Sequence, residues 1–127
     1  MNTNVIEAGS QNVRSNGRVK ELQLASKMAL LFDVTVDNTK AGAADCFVQL
    51  WDVDVSTNIG QSGFPSVPEE EHSLLQGSFL PFSWSGGKQF WHGVYVRCVT
   101  AAGSSTLITS ADCKINGRLH SPYPISS

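Results

Sequence analysis

The side chains able to do chemistry are scattered along this chain. Zinc-type sites draw their ligands from close pairs on one helix face or strand, and His72, His92 and His120 form no such pair. His72 follows Glu69, Glu70 and Glu71, which reads as a solvated acidic loop rather than a cage of oxygen donors. Cys46, Cys98 and Cys113 are odd in number, and no two have a close ligand spacing. Each falls on an expected inward strand face, where a reduced thiol behaves as a small hydrophobe. No nucleophile elbow marks a Ser-His-Asp triad. Asp33, Asp37, Asp45, Asp52 and Asp54 alternate toward solvent or strand ends, which disfavours a glycosidase pair. Gly60 and Gly63 lead into Phe64 and Pro65, not into the Lys and helix of a phosphate-binding loop. This reading assigns no catalytic residue, no metal and no cofactor.

Recognition is better represented than reaction. Of eleven aromatic residues, Phe79, Phe82, Trp84, Phe90, Trp91 and Tyr95 fall between positions 79 and 95, too many for one small core. Phe82, Trp84 and Trp91, around an expected turn at Gly86-Gly87, are the candidates to stand outside it. There they would anchor a protein interface or stack on a sugar ring. The competing reading, of equal weight, is that they cap one end of the fold.

The elements that must position these groups follow a period of two. Met28, Leu30, Phe32, Val34 and Val36 share one face of an expected strand. Asp37 to Gly42 supplies turn residues. From Asp45 to Val55, Cys46, Val48 and Leu50 oppose Phe47, Gln49 and Trp51, and apolar bulk on both faces predicts a central strand. A loop rich in Gly, Ser, Asn and Pro follows over 56–68, of the kind that makes contacts. The stretch 69–76 reads either as two helical turns behind a capping box at Ser66 to Glu69 or as an edge strand. Pro81 demotes the next apolar run to an edge or a bulge. Val94, Val96 and Cys98 oppose Tyr95, Arg97 and Val99. Thr106 to Thr109 is read as a short strand, and in the last one Cys113, Ile115, Gly117 and Leu119 oppose Lys114, Asn116, Arg118 and His120. Six to eight short strands without an internal repeat predict an all-β fold, a single antiparallel β-sandwich or jelly roll spanning 26–127. Residues 1–25, with isolated Val5, Ile6 and Val13, read as an extended N-terminal arm.

Size and composition agree with one domain: 127 residues and 13.7 kDa hold a single core. Charged residues make up 16%, against the usual quarter or so, which fits either a surface covered by neighbours or a Ser-, Thr- and Gly-rich β domain. A net charge of −2 gives no footprint for nucleic acid, and Glu7 and Glu21 dilute the basic residues Arg14, Arg18, Lys20 and Lys27. No run approaches the eighteen or so apolar residues of a membrane span, and Met1 to Asn4 does not open a signal peptide. Synthesis and retention in the cytosol are expected.

Phe32 to Thr39, followed by Phe47 to Val53, resembles a type of small all-β virion structural protein of tailed bacteriophages, in which an opening strand closes on an Asn-rich turn. Gly63-Phe64-Pro65, Leu80-Pro81-Phe82 and Gly93 to Arg97 resemble its later loop and strand pieces. The similarity covers about residues 30 to 120. It implies a non-catalytic protein of the virion, made in the host cytoplasm, that binds the major capsid or another virion protein as a decoration, cement or capsid-associated subunit. Homo-oligomerisation about a capsid axis, for instance as a trimer, goes with it. The contacts would then be Val5, Ile6 and Val13 of the arm together with Phe82, Trp84 and Trp91. The alternative on the same fold is a carbohydrate- or receptor-binding module of a fibre or neck, with Trp84 and Trp91 as glycan platforms.

Overall fold

The computed structural model describes residues 10–58 and 64–122. Eight strands carry the fold: β1 (Ser10–Arg14), β2 (Glu21–Ala25), β3 (Ala29–Asp37), β4 (Cys46–Trp51), β5 (Glu70–Leu74), β6 (Phe79–Phe90), β7 (Val94–Val99) and β8 (Lys114–His120). One helical turn, α1 (Val55–Asn58), follows β4. Two four-stranded antiparallel sheets, ordered β1-β8-β3-β6 and β2-β7-β4-β5, form a sandwich. The pairings nest, with β1 on β8, β2 on β7, β3 on β6 and β4 on β5. This is the wiring of one long hairpin rolled across two sheets.

The core lies between the sheets. Leu24, Leu31, Val34, Val36, Val48, Leu50, Phe90, Val94, Val96, Ile115 and Leu119 are almost wholly shielded. Full burial of each such side chain stabilises by about 1.5–3 kcal/mol, so the inter-sheet layer is the main favourable term. Alternation in β8 is as read from the sequence, with Ile115, Gly117 and Leu119 inward and Lys114 and Arg118 exposed. Gly117 leaves room for Leu24: a Cβ there would stand 2.7 Å from Leu24 Cδ1. β4 is central as expected, and the two edge-strand readings also hold. Residues 70–74 form edge strand β5 rather than a helix, and Pro81 lies in β6, an edge of the other sheet.

Several expectations are corrected. Residues 10–25 are not a free arm but two strands of the sandwich. Val13 pairs with Gly117 and rests half-buried on the core, while Leu24 and Ala25 are buried in it. Spacing along this stretch looked irregular because a turn at Ser15 to Lys20 and a bulge near Gln23 interrupt the period. The rest of the proposed arm, with Val5 and Ile6, lies outside the described residues. In β3 the inward set is Ala29 and Leu31, then Val34 and Val36, because Phe32 is an extra residue between Leu31, opposite Leu119, and Asp33, opposite Arg118. One inserted residue exchanges the two faces of a strand. Phe32 therefore faces out, beneath the Arg118 guanidinium at 4.9 Å.

Gly86 and Gly87 do not reverse the chain. They lie inside β6, where Trp84 to Gly87 bulge opposite the single residue Phe32, and their φ angles of 79° and 91° suit glycine. The reversal comes at Trp91 to Gly93. A Cβ on Gly93 would stand 2.7 Å from the Val53 carbonyl oxygen and 2.9 Å from that of Ala25, so backbone itself excludes a side chain. Thr106 to Thr109 forms no strand; Leu107 makes one isolated bridge to Val99.

Candidate functional site

The outer face of the β2-β7-β4-β5 sheet carries a hollow of about 780 Å³. Gln49 and Trp51 of β4 and Tyr95 and Arg97 of β7 form its floor, with Phe64 to Pro68 on one side and Gly103, Ser105 and Leu107 on the other. Alternation along two adjacent strands puts all four floor residues on the face away from the core, with Trp51 opposite Tyr95 and Gln49 opposite Arg97. Trp51, Val53 and Tyr95 make a second apolar cluster there, against which Val55 and Phe64 pack.

Gln49 organises the polar part. Only 1% exposed, it accepts from Arg97 Nε at 2.8 Å and from Trp51 Nε1 at 2.9 Å through its amide oxygen. Its amide nitrogen donates to Glu71 Oε2 at 2.7 Å and to the Ser104 carbonyl at 3.1 Å. The Gly103 N–H also donates to Glu71 Oε2, at 2.7 Å. These bonds, the Gly103 contribution first and then Gln49, hold the Glu71 carboxyl below its ordinary range. Burial, reinforced by the hydrogen bond that Tyr95 donates to Glu21 Oε1, pushes the Tyr95 phenol up. Arg97 lies 4.8 Å over the Trp51 ring and 5.5 Å from that of Phe64, a cation–π stack. Arg97 and Glu71 are tied to the Gln49 amide, and Tyr95 to Glu21. Such an arrangement suits contact and recognition.

The aromatic candidates divide. Phe82 is not outside: it is 8% exposed and part of the core. Trp84 stacks on it with centroids 5.9 Å apart and packs half-buried on the same core, while His72 meets Phe82 edge-on at 4.6 Å. Since β5 and β6 are edges of different sheets, these rings close one open side of the sandwich, aided by the Lys88–Glu69 ion pair at 3.4 Å. Trp91 does stand out, at 62% exposure, on the turn after β6. Asp52 holds that turn by accepting from the Trp91 N–H at 3.0 Å and the His92 N–H at 2.7 Å. Leu75 and Phe79, flanking the β5–β6 turn, and Val67 at the hollow are the other large exposed apolar residues described. Phe82 and Trp84 are thus brought together, and Trp91 shares no ring contact with them among the described residues.

Two groupings had no sequence spacing to betray them. The Gln49–Trp51–Phe64–Arg97 cluster was hinted at only by apolar bulk on both faces of β4. The cysteines, each placed on an inner face, are all buried and bring their Sγ atoms within 4.8 Å of one another. Hydrogen bonding from Cys113 and Cys98 favours the thiolate at Cys46, whereas Cys98 and Cys113 are pushed up. No family model matches this sequence, and no curated protein or solved structure matches it significantly.

Proposed function

We propose that this chain is a non-catalytic structural subunit of a protein shell, of the kind that bacteriophage virions carry, held in place by contacts with other shell protein and with copies of itself. The observation that supports it most is the nested pairing of the eight strands. We read that wiring as a jelly roll, an architecture shared by viral capsid domains and lectins. The step from wiring to role is an analogy of fold, and it gains weight from the surface. Leu75 and Trp91, on turns, and Phe79, at the start of β6, expose large apolar side chains outside the core. Among the described residues, short β1 is a sheet edge of the kind that accepts strand addition by a partner.

A glycan platform is served less well. Trp84 gives one ring face to Phe82, and Trp51 gives one to Arg97, which leaves Trp91 as the single open indole among the described residues.

Density-gradient fractionation of lysates from cells producing the full chain tests the proposal. Co-migration with intact shells, and release on mild disruption, is the expected result. Recovery only as a free subunit, with retention on a glycan array, would overturn it. Because residues 10–14 form β1, an arm deletion must stop at residue 9 to leave the sandwich intact.

A further inference from the structure

The chain contains three cysteines, and all three meet. Cys46 opens β4, Cys98 lies in β7, and Cys113 immediately precedes β8 in the other half of the fold. Val48 pairs with Cys98, so Cys46 and Cys98 are diagonal neighbours on one inner face. Cys113 is held by reciprocal backbone bonds with Val19, 2.6 Å and 3.1 Å long. The three residues are at most 2% exposed.

We propose that this cluster is a binding site for one thiophilic divalent metal ion, Zn(II), with Cys46, Cys98 and Cys113 as thiolate ligands and the Asn38 side-chain oxygen as the fourth. Zn–S bonds of about 2.3 Å require sulfurs about 3.8 Å apart in a tetrahedron, within reach of a cluster whose Sγ atoms already lie within 4.8 Å of one another. Asn38, fully buried, places Oδ1 3.6 Å from Cys113 Sγ. An edge of about 3.6 Å is what Zn–S and Zn–O bonds of about 2.3 and 2.1 Å give in the same tetrahedron. The Asn38 amide is oriented for this, because its Nδ2 donates to the Ala44 carbonyl at 3.0 Å and leaves the oxygen to accept from the Cys113 thiol.

Zn(II) replaces three thiol protons, which go to solvent, and leaves the site with one net negative charge. Asp112, next to Cys113 in the chain, is itself neutralised by Lys40 at 3.2 Å, and Arg18, which donates to the Asp112 carbonyl oxygen at 2.7 Å, pairs with Asp37 at 3.8 Å. The ion would tie the inner face of β4 and β7 to the start of β8 and so clamp one end of the sandwich.

The test is metal analysis of the full chain, purified reduced and without chelating resin, followed by Co(II) titration of the stripped protein. Expected are one zinc per chain, tetrahedral Co(II) bands with thiolate charge transfer saturating at one equivalent, their displacement by Zn(II), and a lower Tm after chelation. Cys46→Val, Cys98→Val and Cys113→Val keep an apolar core, and each should weaken Co(II) binding more than about 100-fold, beyond the 10–100-fold that loss of a supporting group costs. Circular dichroism separates lost binding from lost folding, and the wild-type titration stands whether or not a variant folds. Absence of uptake by the wild-type chain, uptake of Cu(I) without Zn(II) or Co(II), or unchanged bands in a folded Cys variant would overturn the assignment.

Discussion

Replacing Gln49 by Leu removes the centre of the polar network while conserving most of its volume. Four hydrogen bonds go with it: those from Arg97 Nε and Trp51 Nε1, and those to Glu71 and the Ser104 carbonyl. Their consequences differ. Arg97 and Glu71 are half-buried and regain water, so their share is discounted. Trp51 is 5% exposed, and its indole N–H would be left buried without an acceptor, a loss of about 1–3 kcal/mol. Adding a modest remainder from the Ser104 and Glu71 bonds gives about 2–4 kcal/mol in total. For a domain of this size that is a fall in Tm of roughly 6–16 °C, a large part of a total stability of about 5–15 kcal/mol. Urea unfolding followed by far-ultraviolet circular dichroism measures it without relying on the altered tryptophan. The double mutant Gln49→Leu with Trp51→Phe carries the stronger test, because it deletes the stranded donor along with the acceptor. Its loss should fall short of the sum of the single losses by about 1–2 kcal/mol. Strict additivity, or a Gln49→Leu protein as stable as the parent, would refute the idea that this amide holds the outer face together.

Other outcomes follow from the same geometry. Glu71 has a folded pKa below its ordinary 4.5, so its contribution is complete above the unfolded value and lost as pH falls through the folded one. Denaturation at pH 7 should therefore show Glu71→Gln less stable than the parent, with the gap closing as pH falls below the ordinary 4.5 and through the lower folded value. Gly117→Ala drives a methyl toward Leu24 in a packed layer, and thermal unfolding should report a loss of about 1–3 kcal/mol, partly recovered by adding Leu24→Val. Trp91→Ser and Phe79→Ser replace exposed side chains, and each should shift stability by less than about 0.5 kcal/mol. The same two substitutions should reduce co-sedimentation with shells in the gradient experiment.

How far local pattern reaches into this fold can be seen strand by strand. In β8 the inward and outward sets agree with the structure at nearly every position, since an unbroken strand needs only its own period of two. The same holds for β7, and for β4 the double-sided apolar character marked a central position. Pro81 disclosed an edge because it has no N–H for a second neighbour. In β3 the rule failed midway: the bulge at Phe32 changes parity by one residue and leaves no compositional sign. Phe82 was misplaced for a related reason, as crowding of aromatics along a sequence says nothing about which of them meets His72 across the opening between two sheets.

Sequence alone determined that this is a β protein of one core and which faces of its unbroken strands turn inward, because these depend on side chains two to four residues apart. Tertiary structure alone decided that residues 10–25 belong to the sandwich, that Arg97 lies between Trp51 and Phe64, and that Cys46, Cys98 and Cys113 share one point. Those depend on pairing register between strands that can lie more than a hundred residues apart, which is set by the packing of the whole core and not by any local run of residues.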